Sequence, residues 1–262
     1  MLPTITLFNI EIPMYNLCFL VGLLVGTVMV FVKRRTFGIS KWDLMQALAA
    51  AFIGIVCGGK FVYALGQIVM HGSEPGFWTV DGWKSMFEGN VFYGSFIGAV
   101  GLVLLFAKRR QVPLDKLTGL MTYFIPTCHI MARLGCLCAD CCYGIEVKHM
   151  FTVPSTAYAE PRLPWPLLEM GLNLLILLAF LLWRPERRRP GALFPLYLIM
   201  YAAGRFTLDF FRAIETRGPY LFYSISLTQW IALAMVIAAS VTLYKMHKSS
   251  EQAPRRLVAV PQ

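Results

Sequence analysis

Apolar runs of similar length alternate along this chain with short polar segments, and every second polar segment is basic. The first run, Pro13 to Val32, stops at Lys33, Arg34 and Arg35. The second, from about Asp43 to Met70, follows Lys41 and leads into His71 to Asn90, where Trp78 and Trp83 suit interfacial anchors. Val91 to Ala107 ends on Lys108, Arg109 and Arg110; the central run opens after Lys116, is expected to kink at Pro126, and carries on to Gly144. A loop with Pro154, Pro161 and Pro164 precedes Pro166 to Trp183, which meets Arg184, Arg187, Arg188 and Arg189. Ala192 to Phe211 returns, Arg212 to Phe222 connects, and Tyr223 to Tyr244 ends at Lys245 and Lys248, with Arg255 and Arg256 beyond.

Each run offers roughly the 17–25 residues that cross the hydrocarbon of a bilayer. The pattern predicts an all-α polytopic membrane protein of seven transmembrane helices. The basic clusters, by the positive-inside rule, put the N-terminus outside and the C-terminus inside. Residues 1–248 are expected to form one membrane domain and 249–262 a polar cytoplasmic tail. Residues 1–12 hold no Lys or Arg, so the first run reads as a membrane helix and not as a cleavable leader.

Composition supports this class: 57% of 262 residues are hydrophobic and only 15% charged, whereas a soluble domain is nearer half and a quarter. A net charge of +10 would suit a nucleic-acid binder, but the charges sit beside apolar runs and set topology, so no nucleic-acid partner is expected. Of the seven cysteines, Cys18 and Cys57 lie inside apolar runs and only Cys128 to Cys142 cluster, which is no disulfide scaffold.

Polar residues inside the runs carry the candidate chemistry. An arginine near the centre of a membrane helix costs roughly 2.5–3.5 kcal/mol on insertion scales, so it needs a polar partner, a cavity or an anion. Arg133 is the first candidate, and His129 lies four residues before it on the same helix face. In the sixth run Arg205 and Asp209 can pair across one turn, with Arg212 beyond. Two spans thus bring arginines to one leaflet depth against one acid, and an anion between them is the economical reading, because guanidinium suits phosphate. Lys60, after Gly58 and Gly59, either snorkels or lines a cavity. Gly94, Ser95 and Gly98, after Tyr93, either let two backbones approach or line a site. Cys136, Cys138, Cys141 and Cys142 suit buried thiols, a local disulfide or a soft metal, yet the spacing is not that of paired C-x-x-C zinc motifs. No metal or other cofactor is expected.

Several of these places, in order, resemble the prolipoprotein diacylglyceryl transferases. Arg133-Leu134-Gly135 followed by Tyr143-Gly144 resembles the family signature at the outer end of its central helix, and Pro13-Met14-Tyr15 the start of its first span. Phe92 to Gly98 resembles its His-Gly-Gly-Leu-Ile-Gly motif, and Pro166-Leu167-Leu168-Glu169 the end of its Pro-Ser-Gln-Leu-Tyr-Glu stretch. Gly204-Arg205-x-x-x-Asp209-Phe210-x-Arg212 resembles its arginine-plus-acid motif, and Ser226-x-x-Gln229 its last-span motif. The resemblance implies transfer of a diacylglyceryl group from phosphatidylglycerol to the lipobox cysteine of a prolipoprotein, beside its signal peptide, at the outer leaflet of a bacterial inner membrane.

The polar positions and the resemblance together give the candidate roles, His129 and Lys60 on their place in the runs alone. Arg133, Arg205, Asp209, His129 and Tyr93 are the catalytic candidates. Tyr15, Lys60, Gly94, Ser95, Gly98, Gly135, Cys136, Gly144, Glu169 and Arg212 are the substrate-binding ones. Tyr93 stands where the family motif has histidine, Cys136 and Ala139 where it has asparagines, Cys141 where it has an acid, and Asp209 where it has glutamate. Tyrosine is a poor base near neutral pH, so His129 is assigned the thiol proton. The rival readings are a relative that uses the same phospholipid site for another acceptor, and a non-enzymatic lipid-binding or Cys-cluster redox or metal protein.

Overall fold

The apolar runs become helices in the computed structural model, which describes residues 4–7, 10–72, 77–85, 89, 91–147, 151–152, 160–183, 190–213, 220–222 and 225–257. A hairpin of β1 (Thr4–Leu7) and β2 (Ile10–Pro13) leads into α1 (Met14–Lys33). Then come α2 (Lys41–His71), the short α3 (Val80–Ser85), α4 (Phe92–Arg110), α5 (Leu114–Cys138), α6 (Trp165–Trp183) and α7 (Leu193–Asp209). A small antiparallel pair, β3 (Tyr220–Phe222) and β4 (Ile225–Ser226), precedes α8 (Leu227–Leu257). Every expected span has its helix. Four of them, α1, α2, α6 and the Leu227–Lys248 part of α8, are by themselves long and apolar enough to cross a membrane. Leu24 and Val28 on α1, Leu175 and Leu182 on α6 and Ile237 on α8 are exposed. Rows of such residues would be costly against water and are at ease against lipid.

The last helix starts at Leu227, not Tyr223, because Ser226 caps it, and its helical backbone continues into the polar tail as far as Leu257, with 258–262 outside the described residues. The central helix is continuous from Leu114 to Cys138 with Pro126 inside it, where the ring removes the amide that would reach the Thr122 carbonyl. Short strands, absent from the sequence reading, border α1 and α8.

The chain divides into two compact units, Gly38–Leu117 and the remainder. In the smaller unit Ser40 caps α2, accepting from the Asp43 amide at 3.0 Å. Its helices α2 and α4 meet through glycines: a Cβ on Gly58 would lie 2.9 Å from the Gly98 Cα and closer still to the Gly94 carbonyl, and Gly54 is likewise against Gly98. Across this seam the Ser95 hydroxyl donates to the Ile55 carbonyl at 2.9 Å. The contact is the small-residue packing that membrane helices use in place of a hydrophobic drive.

In the larger unit, Gly22 and Gly26 of α1 admit α5, with Cys128 Sγ 3.4 Å from the Gly22 carbonyl. Tyr123 is fully buried between Phe37 and Phe180, with ring centroids 6.3 and 6.4 Å away. On α6 the buried positions Trp165, Glu169, Asn173, Ile176 and Phe180 recur every three to four residues. That period makes one inward face, and it carries a carboxylate into the interior.

Candidate active site

Glu169 is the hub. Its side chain is 0% exposed, and four groups from two other helices surround its carboxylate. From α5, Arg133 Nε lies 2.6 Å from Oε2 and His129 Nε2 3.3 Å from Oε1. From α7, the Tyr201 hydroxyl donates to Oε1 at 3.0 Å and Arg205 Nε lies 3.6 Å from it. His129 and Arg133 are one turn apart on α5, as are Tyr197, Tyr201, Arg205 and Asp209 on α7, so each helix offers one polar face to α6. A buried carboxylate persists as an ion only when paired and hydrogen-bonded, and this one is. The sequence reading gave Arg133 no acid. The structure supplies Glu169, one of the substrate-binding candidates, whose carboxylate meets the two arginines and the histidine.

Trp165 is the second organiser. Its fully buried ring has the guanidiniums of Arg205, Arg212 and Arg133 at 4.5, 4.9 and 5.3 Å from the ring. Its indole N–H donates to the Leu208 carbonyl at 3.0 Å, which fixes the ring against α7. Cation–π contacts of this kind are worth about 2 kcal/mol when desolvated, so one indole holds together three groups that repel one another.

Asp209 continues the network. Its Oδ1 accepts from Arg205 Nη1 at 3.0 Å, and its Oδ2 accepts from the hydroxyls of Ser226 at 2.5 Å and Thr228 at 3.1 Å. Ser226 and Gln229 form a reciprocal cap on α8. The Ser226 amide donates to Gln229 Oε1 at 2.9 Å, and the Gln229 amide donates to Ser226 Oγ at 3.2 Å.

The segment after α5 closes this side. Gly144 pairs with Arg212, and its amide donates to the Leu163 carbonyl at 2.9 Å. A Cβ on Gly144 would lie 2.6 Å from the Phe211 carbonyl, and one on Gly135 would lie 3.0 Å from the Tyr15 Cα. Those approaches give both glycines a steric reason. Arg133 Nη1 reaches Cys136 Sγ at 3.6 Å. The Cys142 thiol is lowered to about 5, chiefly by a hydrogen bond from Cys136 and then by Arg133, against the opposing effect of burial. Arg212 is lowered by burial and by the neighbouring Arg205.

The structure therefore brings together Arg133, His129, Glu169, Arg205, Asp209 and Arg212, with Gly135, Cys136, Gly144 and Tyr15 beside them. Lys60, Gly94, Ser95 and Gly98 belong to the smaller unit, where the three small residues pack α4 on α2. The Tyr93 side chain lies outside the described residues. The contacts of Trp165, Thr228 and the hydroxyl of Tyr201 with this cluster had no counterpart in the sequence analysis. Trp165 has only its place before Pro166 to mark it.

Comparison with known proteins finds matches over most of the chain. Residues 3–245 match the family model for prolipoprotein diacylglyceryl transferase. Proteins named phosphatidylglycerol–prolipoprotein diacylglyceryl transferase are similar over most of their length. That of Clostridium tetani is 27% identical over 236 residues, 88% of this chain and 92% of its own. That of Bordetella avium is 28% identical over 250 residues, 92% and 91% of the two chains. A Clostridium perfringens protein with that name and the suffix 2 is 29% identical over 255 residues, 92% and 93% of the two.

Proposed function

The chain belongs to the prolipoprotein diacylglyceryl transferase family, and from that premise we propose that it moves the diacylglyceryl group of phosphatidylglycerol to the lipobox cysteine of a prolipoprotein, releasing glycerol phosphate. In this reading seven spans, with the N-terminus outside, place the site in the outer leaflet of a bacterial inner membrane. The observation that carries it is the convergence of Arg133, Arg205 and Arg212 on one indole, with the first two side chains still 21% and 12% exposed. A phosphodiester can reach those guanidiniums, and the acyl chains can stay in the lipid.

The reaction is a displacement. The acceptor sulfur forms a bond to the glyceryl carbon, the carbon–oxygen bond to phosphate breaks, and its electron pair leaves on the phosphate oxygen. Negative charge grows on the leaving phosphate, where fixed guanidiniums stabilise the transition state more than the ground state. Glu169 keeps those guanidiniums aimed without sharing the phosphate. The thiol proton goes to His129, whose Nε2–H faces Glu169 at 3.3 Å and so leaves Nδ1 with the lone pair.

Native mass spectrometry of purified protein with phosphatidylglycerol tests the anion site: Arg133→Ala and Arg205→Ala should each lose bound lipid, and retention in both would remove the proposal. His129→Ala should slow thioether formation on a lipobox peptide by roughly 10²–10⁴-fold, and an unchanged rate would send the proton elsewhere. A second reading, another acceptor at the same lipid site, draws on Tyr93 and Cys136 standing where the family motifs have histidine and asparagine. Rescue of lipoprotein maturation in a strain depleted of its own transferase separates the two.

A further inference from the structure

Three thiols, Cys136 in the last turn of α5 and the adjacent Cys141 and Cys142 just beyond it, are folded into one cluster. The Sγ atoms of Cys136, Cys141 and Cys142 all lie within 4.8 Å of one another, and all three are free thiols. The backbone that does this is unusual. Asp140 and Cys142 take the left-handed conformation, with φ of 57° and 62°, which residues with a side chain rarely adopt because it is strained for them. The turn is closed by the Cys141 amide donating to the Cys136 carbonyl at 3.1 Å and the Ala139 amide donating to Gly135 at 2.9 Å. Beyond it the chain is clamped: the Ala213 amide donates to the Tyr143 carbonyl at 3.2 Å and the Ile145 amide to Phe211 at 3.0 Å. Cysteines used only as small apolar fillers would need neither the two strained residues nor the convergence of sulfurs.

The spacing of the sulfurs fits a metal. With a metal–sulfur distance of about 2.3 Å, three sulfurs in a trigonal plane stand about 4.0 Å apart, so the observed cluster needs a contraction of at most about half an ångström per sulfur. The ligand set is all sulfur, which favours soft ions over Mg²⁺ or Ca²⁺. Arg133 touches Cys136 and Arg212 faces Cys142, so positive charge is already present to offset an anionic metal–thiolate complex.

We propose that Cys136, Cys141 and Cys142 form a three-coordinate thiolate site for a soft d¹⁰ metal ion, Cu(I) or Zn(II), beside Arg133 and Arg212. The site is independent of the transferase reading, since binding of the ion needs neither lipid nor acceptor.

The full-length protein, purified in detergent and kept reduced with a phosphine, is titrated with Zn(II) and, separately, with Cu(I) against a chromophoric chelator. One of the two ions should bind at one per chain, with an X-ray absorption shell of three sulfurs. Cys141→Ser and Cys142→Ser should each weaken binding at least tenfold while the protein elutes as one species with its thermal transition retained. Cys57→Ser, in the smaller unit, should leave one ion per chain. Should Cys136→Ser fail to fold, the two loop variants carry the test. Failure of both ions to bind at micromolar free metal, or undiminished affinity in Cys142→Ser, would overturn the proposal. So would a mass two daltons low in reductant, the mark of a persistent disulfide among the three thiols.

Discussion

Replacing Glu169 by glutamine removes one charge and almost no volume from the centre of the larger unit. Arg205 keeps Asp209 at 3.0 Å, but Arg133 loses the carboxylate at 2.6 Å from its Nε. Losing one partner of a buried ion pair costs about 3–5 kcal/mol, and the lower figure applies because the glutamine oxygen still accepts from Tyr201 or a guanidinium. For a chain of this size about 3 kcal/mol corresponds to a fall of roughly 6–12 °C in Tm. The sign on ligand binding is opposite: with the internal anion gone, Arg133 is freer for an external one. Phosphatidylglycerol affinity should therefore hold or rise while turnover falls, since guanidiniums and imidazole lose their alignment. The assay is thermal unfolding in micelles, with and without phosphatidylglycerol, alongside thioether formation. A double-mutant cycle with Arg133→Met should return a coupling of about 1–3 kcal/mol. An unchanged Tm together with additive single effects would show that Glu169 does not hold the arginines, and the account of the site would fail.

Three further outcomes are expected. Ser226→Ala removes a helix cap and a hydroxyl donor to a buried carboxylate, for a loss of about 2–4 kcal/mol in unfolding free energy, whereas Ser226→Thr keeps most of it. Gly144→Ala, whose new Cβ would meet the Phe211 carbonyl at 2.6 Å and Leu163 Cβ at 2.9 Å, should cost about 1–3 kcal/mol and weaken lipid binding, while Gly171→Ala, with nothing within 4 Å, should be neutral or stabilising in the same melts. In the smaller unit Gly58→Ala should lower the yield of monodisperse protein, because the neighbouring atoms are backbone of α4, and Gly66→Ala should not.

The long helices were legible because apolar length and basic stops are local properties of the chain. The convergence of Arg133 and Arg205 was legible too, since charges in apolar helices must find partners. The identity of the partner was not: Glu169 lies 36 positions from both arginines, and only the packing of α6 between α5 and α7 decides what its carboxylate meets. That the sulfurs of Cys136, Cys141 and Cys142 meet was not legible from their spacing, because two left-handed residues bend the chain sharply there. Ser226 and Gln229 could have been read as a capping box from their spacing alone. Nothing in the sequence marks Trp165 as the ring on which three arginines gather.

The hydroxyl of Ser226 serves two masters. It closes the first turn of the final helix and, through Asp209, steadies Arg205. Fraying at that helix end therefore cannot stay local: each opening unties the acid that tethers Arg205. Slowing the breathing of one peripheral turn would stiffen the cluster of arginines from behind, without altering any of the guanidiniums themselves.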